Sequence, residues 1–332
     1  MKNIIKTSLT CLLLLPLFLV SCKGDGTTRV TATGSIYELL IVVDNDLWKG
    51  EIGDTLKHYL GHDMPCLPQM EPVFSVSQVA PRYFDDLLKP VRNVLVCDVN
   101  PEKYTKSRLL FYKDYYSRPQ ALARIQAPSA DSLMFVLTHY GKRIEDYFVK
   151  QELERQGKFL RSYTNREARQ ALQQTQGYDI FVPSDYLWLQ SDTSFFWCAA
   201  DNGGIRRDLI VYSYPFVSND AFTEKALLNK RDSVMHERIH GGIDGSYMTT
   251  EYRIFPPQYT EKLVDSAYCA EIRGLWRMED GESMGGPFVQ LNRLDTKRQR
   301  VVTTEVYIYA SGKKKRNPLR QAEAILYTLD FR

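Results

Sequence analysis

The chain has 332 residues, 44% apolar and 25% charged, the balance of a folded globular protein and not of a disordered one. Its formal charge is +3; setting aside Lys2 and Lys6 of the leader leaves 41 Lys and Arg against 40 Asp and Glu, which argues against nucleic acid as the partner. No apolar run after residue 22 approaches the roughly 18 residues of a spanning helix, which excludes a multi-span transporter.

Residues 1–21 read as an export leader. Lys2 and Lys6 give a positive start, and Leu12 to Leu19 form an apolar stretch too short to span a membrane. Leu19-Val20-Ser21-Cys22 then matches the lipobox of bacterial lipoproteins, in which the chain is cut before a thiol that carries a diacylglyceryl group. Cys22 is therefore the expected lipid attachment. Several acyl chains on one residue, palmitate among them, anchor a protein stably in a membrane. Lys23 follows, where Asp would hold an enteric lipoprotein at the inner membrane, so by analogy the outer membrane is expected. Residues 22–34, rich in Gly and Thr, read as a flexible tether, and residues 35–332 as the folded part.

Tyr37 to Val43 predicts a buried strand, Asp46 to Leu60 a helix, Val73 to Val79 an edge strand and Asn93 to Val99 a central strand. Leu109 to Tyr116 and Gln120 to Ala127 predict a strand pair broken by Arg118-Pro119. Ser129 to Leu160 is the longest helical stretch, followed by a helix over Asn165 to Gln174 with Asn165 or Thr164 as its cap. Strands follow at Tyr178 to Val182, Ser194 to Ala200 and Asp208 to Tyr214, with Asn202-Gly203-Gly204 as a hairpin turn. Thr223 to His240 reads as a helix stopped by Gly241-Gly242. Ser246 to Ile254 alternates as a strand, and Thr260 to Cys269 reads as a short helix. Strands are then expected at Glu271 to Met278, Phe288 to Leu294 and Arg300 to Ala310, and a last helix at Leu319 to Leu329.

Helices and strands come in runs. That predicts an α+β fold: largely antiparallel, mixed sheets packed with helices, with a subdomain boundary near residues 129–175. Cys66, Cys97, Cys198 and Cys269 lie in the exported body. An oxidising compartment permits disulfides among them; the apolar runs around Cys97 and Cys198 suit buried free thiols.

Three segments carry a resemblance. Gly245-Ser246-Tyr247-Met248-Thr249-Thr250-Glu251, Arg273-Gly274-Leu275-Trp276 and Met284-Gly285-Gly286-Pro287-Phe288-Val289 are similar to an uncharacterised lipoprotein family of Bacteroidota, domain of unknown function 4837. Arg118-Pro119-Gln120 and Lys315-Arg316-Asn317 fit as well, so the resemblance runs over essentially the whole chain after the leader. It implies a lipid-anchored envelope protein and no activity. In such bacteria charges after the lipid cysteine direct proteins to the cell surface, and Cys22-Lys23-Gly24-Asp25 is a partial version of that signal, which leaves the membrane face open.

The sharpest chemical motif is His236-Glu237-Arg238-Ile239-His240, an H-E-x-x-H pattern on a predicted helix. Two histidines four residues apart share a helix face and reach one zinc, and Glu237 would activate the bound water. Glu261, 21 residues on, is the candidate third ligand, with Asp265 to orient a histidine, which resembles the thermolysin-like peptidases. Against it, Leu227, Leu228, Val234, Met235 and Ile239 form one helix side and the histidines lie opposite, on a solvated face. Gly281-Glu282-Ser283-Met284-Gly285 matches a nucleophile elbow, but no histidine follows to complete a triad, and a glycine-rich turn is the plainer reading. Met284, Gly285, Gly286, Pro287 and Phe288 form a candidate binding loop. Lys313 to Arg316 is a basic run suited to a solvated loop or to anionic lipid headgroups.

Together these features predict a non-enzymatic outer-membrane lipoprotein held by lipid on Cys22. It needs no cofactor, and its partner is an envelope protein or glycan. The alternative is a zinc metallopeptidase built on His236, His240, Glu261 and Glu237.

Overall fold

The structure, a computed structural model, describes residues 30–331. The leader, Cys22 and the first part of the tether lie outside the described residues.

In chain order the first half contains β1 (Val30–Thr31), β2 (Glu38–Val42), α1 (Asn45–Lys49), α2 (Glu51–Leu60), β3 (Ser75–Val79), β4 (Asn93–Val99), β5 (Arg108–Lys113), β6 (Ser117–Arg118), β7 (Ala121–Ala127) and α3 (Ala130–Ser162). Five strands form a sheet in the order β3-β2-β4-β7-β5, parallel except for β5 at its edge. β2 and β4 are apolar runs because both sheet faces are covered. One face meets α2 and α3. On the other, Leu40, Val42, Val94 and Leu122 are closed over by Phe84, Leu88 and Val91. Ser129 caps α3 by accepting from the Ser132 N–H at 3.2 Å, and Asn165 caps the next helix, α4 (Arg166–Gln176), by accepting from Ala168 at 3.1 Å.

The second half contains β8 (Tyr178–Asp179), β9 (Trp188–Ser191), β10 (Phe195–Asp201), β11 (Arg206–Pro215), α5 (Glu224–Arg238), β12 (Tyr247–Glu251), β13 (Gln258–Val264), β14 (Ala267–Glu279), β15 (Gly285–Asp295), β16 (Arg300–Tyr309), α6 (Arg316–Leu326) and β17 (Asp330–Phe331). Eight of these strands form a curled antiparallel sheet, β12-β14-β15-β16-β11-β10-β9, with β13 sharing the β14 edge with β12.

Helix α6 is the wedge between the halves. It packs on β11, β15 and β16 on one side and on α3 on the other, and α3 packs on β4 and β7. One apolar core therefore runs from Leu95 and Ile125 through Phe148 and Ile325 to Val289 and Val306. The far face of the large sheet is covered by α5, over Tyr212, Trp276, Phe288 and Tyr307. Among the described residues no helix is long and apolar enough to cross a membrane.

The α+β class and the predominance of antiparallel pairing hold, with the first sheet as the parallel exception. Other expectations need correcting. Gly50 splits the helix expected over 46–60 into α1 and α2. The strand expected over 178–182 is only Tyr178–Asp179, paired with β17. Residues 260–269 are not helical: β13 turns into β14 through Asp265 and Ser266, both left-handed at φ 51° and 65°. Two such residues in a row make the tight turn that antiparallel strands need. The four body cysteines are free and buried.

Candidate functional site

The H-E-x-x-H residues do not form a metal centre. Helix α5 ends at Arg238, and Ile239 is already extended, so His240 leaves the helix and bridges to Tyr247. His236 is exposed and packs edge-on against the Tyr247 ring at 4.1 Å. Glu237 pairs with Arg238 at 3.3 Å. Glu261 sits on β13 opposite Ala270, whereas Tyr247 sits opposite Glu279. That is nine residues further along β14, or roughly 30 Å of strand. Glu261 instead accepts hydrogen bonds from Tyr259 and Tyr268, both at 2.9 Å, and Asp265 lies in the turn beyond. The donor set does not fit zinc.

The candidate loop is also reassigned. Met284 precedes β15, while Gly285, Gly286, Pro287 and Phe288 belong to that strand, with the last three buried. Ser283 sits in the turn between two strands, so no nucleophile elbow exists there. The glycines matter because other groups press on them. A Cβ on Gly286 would lie 2.0 Å from the Ile308 carbonyl oxygen, the acceptor of the Trp276 indole N–H at 3.2 Å. A Cβ on Gly274 would lie 2.7 Å from the Phe288 ring. These flat spots let Trp276 and Phe288 lie down on the sheet.

Beside them is a pocket. Trp276 and Tyr307 form its buried floor, their rings 5.4 Å apart; Trp197 and Tyr309, with Met248, Met278 and Met284, form its walls. Alternation along β16 puts Tyr307 and Tyr309 on one face, and pairing with β11 sets Tyr309 opposite Arg206. Buried Asp208 organises this end: it accepts from the Trp197 indole N–H at 2.8 Å and from the Arg206 guanidinium at 3.0 Å. Burial pushes the Asp208 carboxyl above its usual range, against the pull of Arg206. Glu282 accepts from the Gly242 N–H at 3.1 Å through Oε1, while its enclosed Oε2 has no hydrogen-bond partner. The pocket holds about 240 Å³ and shares His240, Gly241 and Gly242 with an outer hollow of about 580 Å³. Trp188 extends the aromatic surface outward, 43% exposed and edge-on to Trp197 at 4.2 Å.

Next to the pocket, Arg231 and Glu305 form a fully buried pair. The guanidinium donates to both carboxylate oxygens, at 2.9 and 2.7 Å, donates to Thr250 at 2.9 Å, and stacks on Phe288 at 3.8 Å. Burial lifts the Glu305 carboxyl even with Arg231 beside it, while the carboxylate keeps Arg231 firmly charged. The two tendencies oppose each other; the bidentate geometry favours the charged pair. The sequence carries a signal for Arg231 that the motifs above do not include: it lies four residues from both Leu227 and Met235, on the apolar side of α5.

Half of the basic run is consumed inside the fold. Glu71 accepts from the backbone N–H groups of Lys315 at 2.6 Å and Arg316 at 3.2 Å, capping α6, and both residues are buried. Lys313 donates to the Gly203 carbonyl. The run is neither a solvated loop throughout nor a free basic patch.

The fold and the pocket define an α+β protein with an aromatic-lined cavity on one face of a curled antiparallel sheet. Residues 165–328 match the model of a domain of unknown function, DUF4837, and residues 32–161 match a second, DUF8532. The chain belongs to the DUF4837 family through its second half. The family pattern thus covers that half alone, not the whole body, and all three segments that carry the resemblance meet at the pocket and the Arg231 pair. No curated protein matches the chain.

Proposed function

We propose that the chain is a non-enzymatic lipoprotein of a Bacteroidota outer membrane, anchored through acylated Cys22, that binds an envelope glycan in the aromatic pocket. The observation that carries this reading is the pocket itself. A sugar ring has an apolar face and a hydroxyl edge. Trp276, Trp197 and Tyr309 offer flat apolar surface for the first; Arg206, His240 and the unpartnered Glu282 oxygen offer donors and an acceptor for the second. Nothing in the pocket pairs a nucleophile with a base. The lipid anchor is supported by the leader and the lipobox.

The test is titration of the full chain in mild detergent with oligosaccharides released from purified envelope polysaccharide, followed by tryptophan fluorescence. Three of the four tryptophans lie in or beside the pocket, so a bound sugar shifts or quenches the signal, and Trp197→Ala weakens binding at least tenfold. An unchanged spectrum at millimolar sugar sinks the reading. Mass analysis of the mature protein, with and without Cys22→Ala, tests the anchor separately.

A further inference from the structure

A long groove lies between the two halves, on the other side of the large sheet from the aromatic pocket. One wall is α3 from Lys142 to Arg161, twenty residues spanning roughly 29 Å of helix. The other wall is β13, and the floor is supplied by Glu323 and Ala324 of α6 with Tyr327 just past its end. Two adjoining cavities of about 910 and 750 Å³ make up the groove, sharing Asp146, Val149, Lys262 and Tyr327.

β13 pairs with β14 alone, so its outer edge presents backbone N–H and C=O groups that bond to no other strand. Gln258, Thr260, Glu261 and Leu263 are exposed along it, Leu263 at 73%. The charge of the groove has a sign. Its six acids are already engaged: Asp146 and Glu145 by Lys142, Glu154 by Lys113 at 2.7 Å, Glu271 by Lys262 and Arg273, Glu323 by Arg273 and Arg320, and Asp265 by Arg293 at 3.9 Å. Lys150 and Lys158 have no carboxylate partner among the described residues, and Arg161 lies over the Phe181 ring.

We propose that this groove docks an extended acidic segment of a partner protein, which adds as a strand to the free edge of β13 and sets its carboxylates against Lys150, Lys158 and Arg161. Strand addition supplies the backbone bonds, and the basic wall selects the partner. A groove of this length takes about eight extended residues. The chain's own residues 1–29 do not complement it, because they carry Lys2, Lys6, Lys23 and Arg29 against Asp25 alone.

The experiment uses the full chain in mild detergent and a fluorescein-labelled decapeptide of alternating Asp and Val, read by anisotropy. The expected result is saturable binding that weakens with salt, falls at least tenfold in Lys150→Glu/Lys158→Glu, and is absent for the alternating Lys and Val peptide. Methylating the backbone nitrogens of alternate residues in the peptide abolishes binding in one of the two possible phases. No binding at millimolar peptide, or equal binding of both peptides, overturns the proposal. So does sedimentation that finds a dimer broken by the same double charge reversal, since the occupant is then a second copy. Both substitutions lie on the exposed face of α3, so circular dichroism separates a lost site from a lost fold.

Discussion

The two faces of the large sheet are built from the same strands and differ in kind. The face toward α6 is aliphatic: Leu209, Val211, Val289, Leu291, Val302, Val306 and Ile308 alternate inward and join the core of the first half. The face toward α5 carries Tyr212, Trp276, Phe288 and Tyr307, a buried ion pair, and the pocket. Branched aliphatic chains interdigitate and leave no void. Large flat rings on a curled sheet do not tile it, so the same curvature that seals one face opens a cavity on the other. The sealed centre of the sheet and the aromatic pocket are thereby assigned to opposite faces of one set of strands, and the groove between α3 and β13 lies beyond that sealed centre, at the sheet edge.

The comparison breaks most severely at Glu305. Glu305→Ala strands the Arg231 charge in the core and is expected to cost about 3–5 kcal/mol in urea unfolding. Arg231→Met/Glu305→Leu, which removes both charges, recovers most of that loss. On the aliphatic face, Leu291→Ala is expected to cost about 3 kcal/mol through a cavity, with sugar titration unchanged. If Leu291→Ala altered sugar binding as strongly as Trp197→Ala does, the division between the faces would fail.

A pH experiment sharpens the contrast at the rim of the aliphatic face. Burial raises the Glu271 carboxyl, but Arg273 and Lys262 outweigh it and hold it at about 2. A carboxyl depressed in the folded state contributes stability in full above its unfolded value of roughly 4.3 and loses it as pH falls toward the folded value. Acid unfolding of the native chain should therefore steepen between about pH 4.5 and 2, and Glu271→Gln should flatten that part of the curve. Smallest of all is His236→Ala. An exposed side chain at a helix end should change stability by no more than about 0.5 kcal/mol. One zinc per chain after dialysis, lost in that variant, would restore the peptidase alternative.

Local signals carried most of the elements. Asn165 caps the helix expected of it, the long helix starts beside Ser129 as expected, the Asn202-Gly203-Gly204 turn joins β10 to β11, and Asn93 to Val99 is a strand over those very residues. The failures share a cause: a pattern read locally was decided by contacts far away. Thr260-Glu261-Lys262-Leu263-Val264 suits a helix by propensity, but pairing with β14 makes it a strand. His240 sits at helical spacing from His236, but the hydrogen bond from the Met248 N–H to the Ile239 carbonyl pulls the chain out of the helix one residue earlier. The pocket escaped for the same reason. Trp197, Trp276 and Tyr307 are 79 and 31 residues apart in sequence and meet only through strand order. The parallel first sheet was hidden by the two-helix connection between β2 and β3.

The cap that Glu71 places on α6 bears on the timing of synthesis. A ribosome that has delivered residues 32–161, the whole first family unit, has not yet delivered the helix that covers the outer side of α3. Nor, when it has delivered the second sheet, has it delivered the wedge that joins that sheet to the first. Both units wait for residues 316–326, whose first turn is in turn completed by a carboxylate made some 245 residues earlier. Translation runs from front to back, whereas consolidation starts at the back. A nascent chain stopped at Ser311 should thus be as vulnerable to protease in its first unit as in its second, although every residue of the first unit is present.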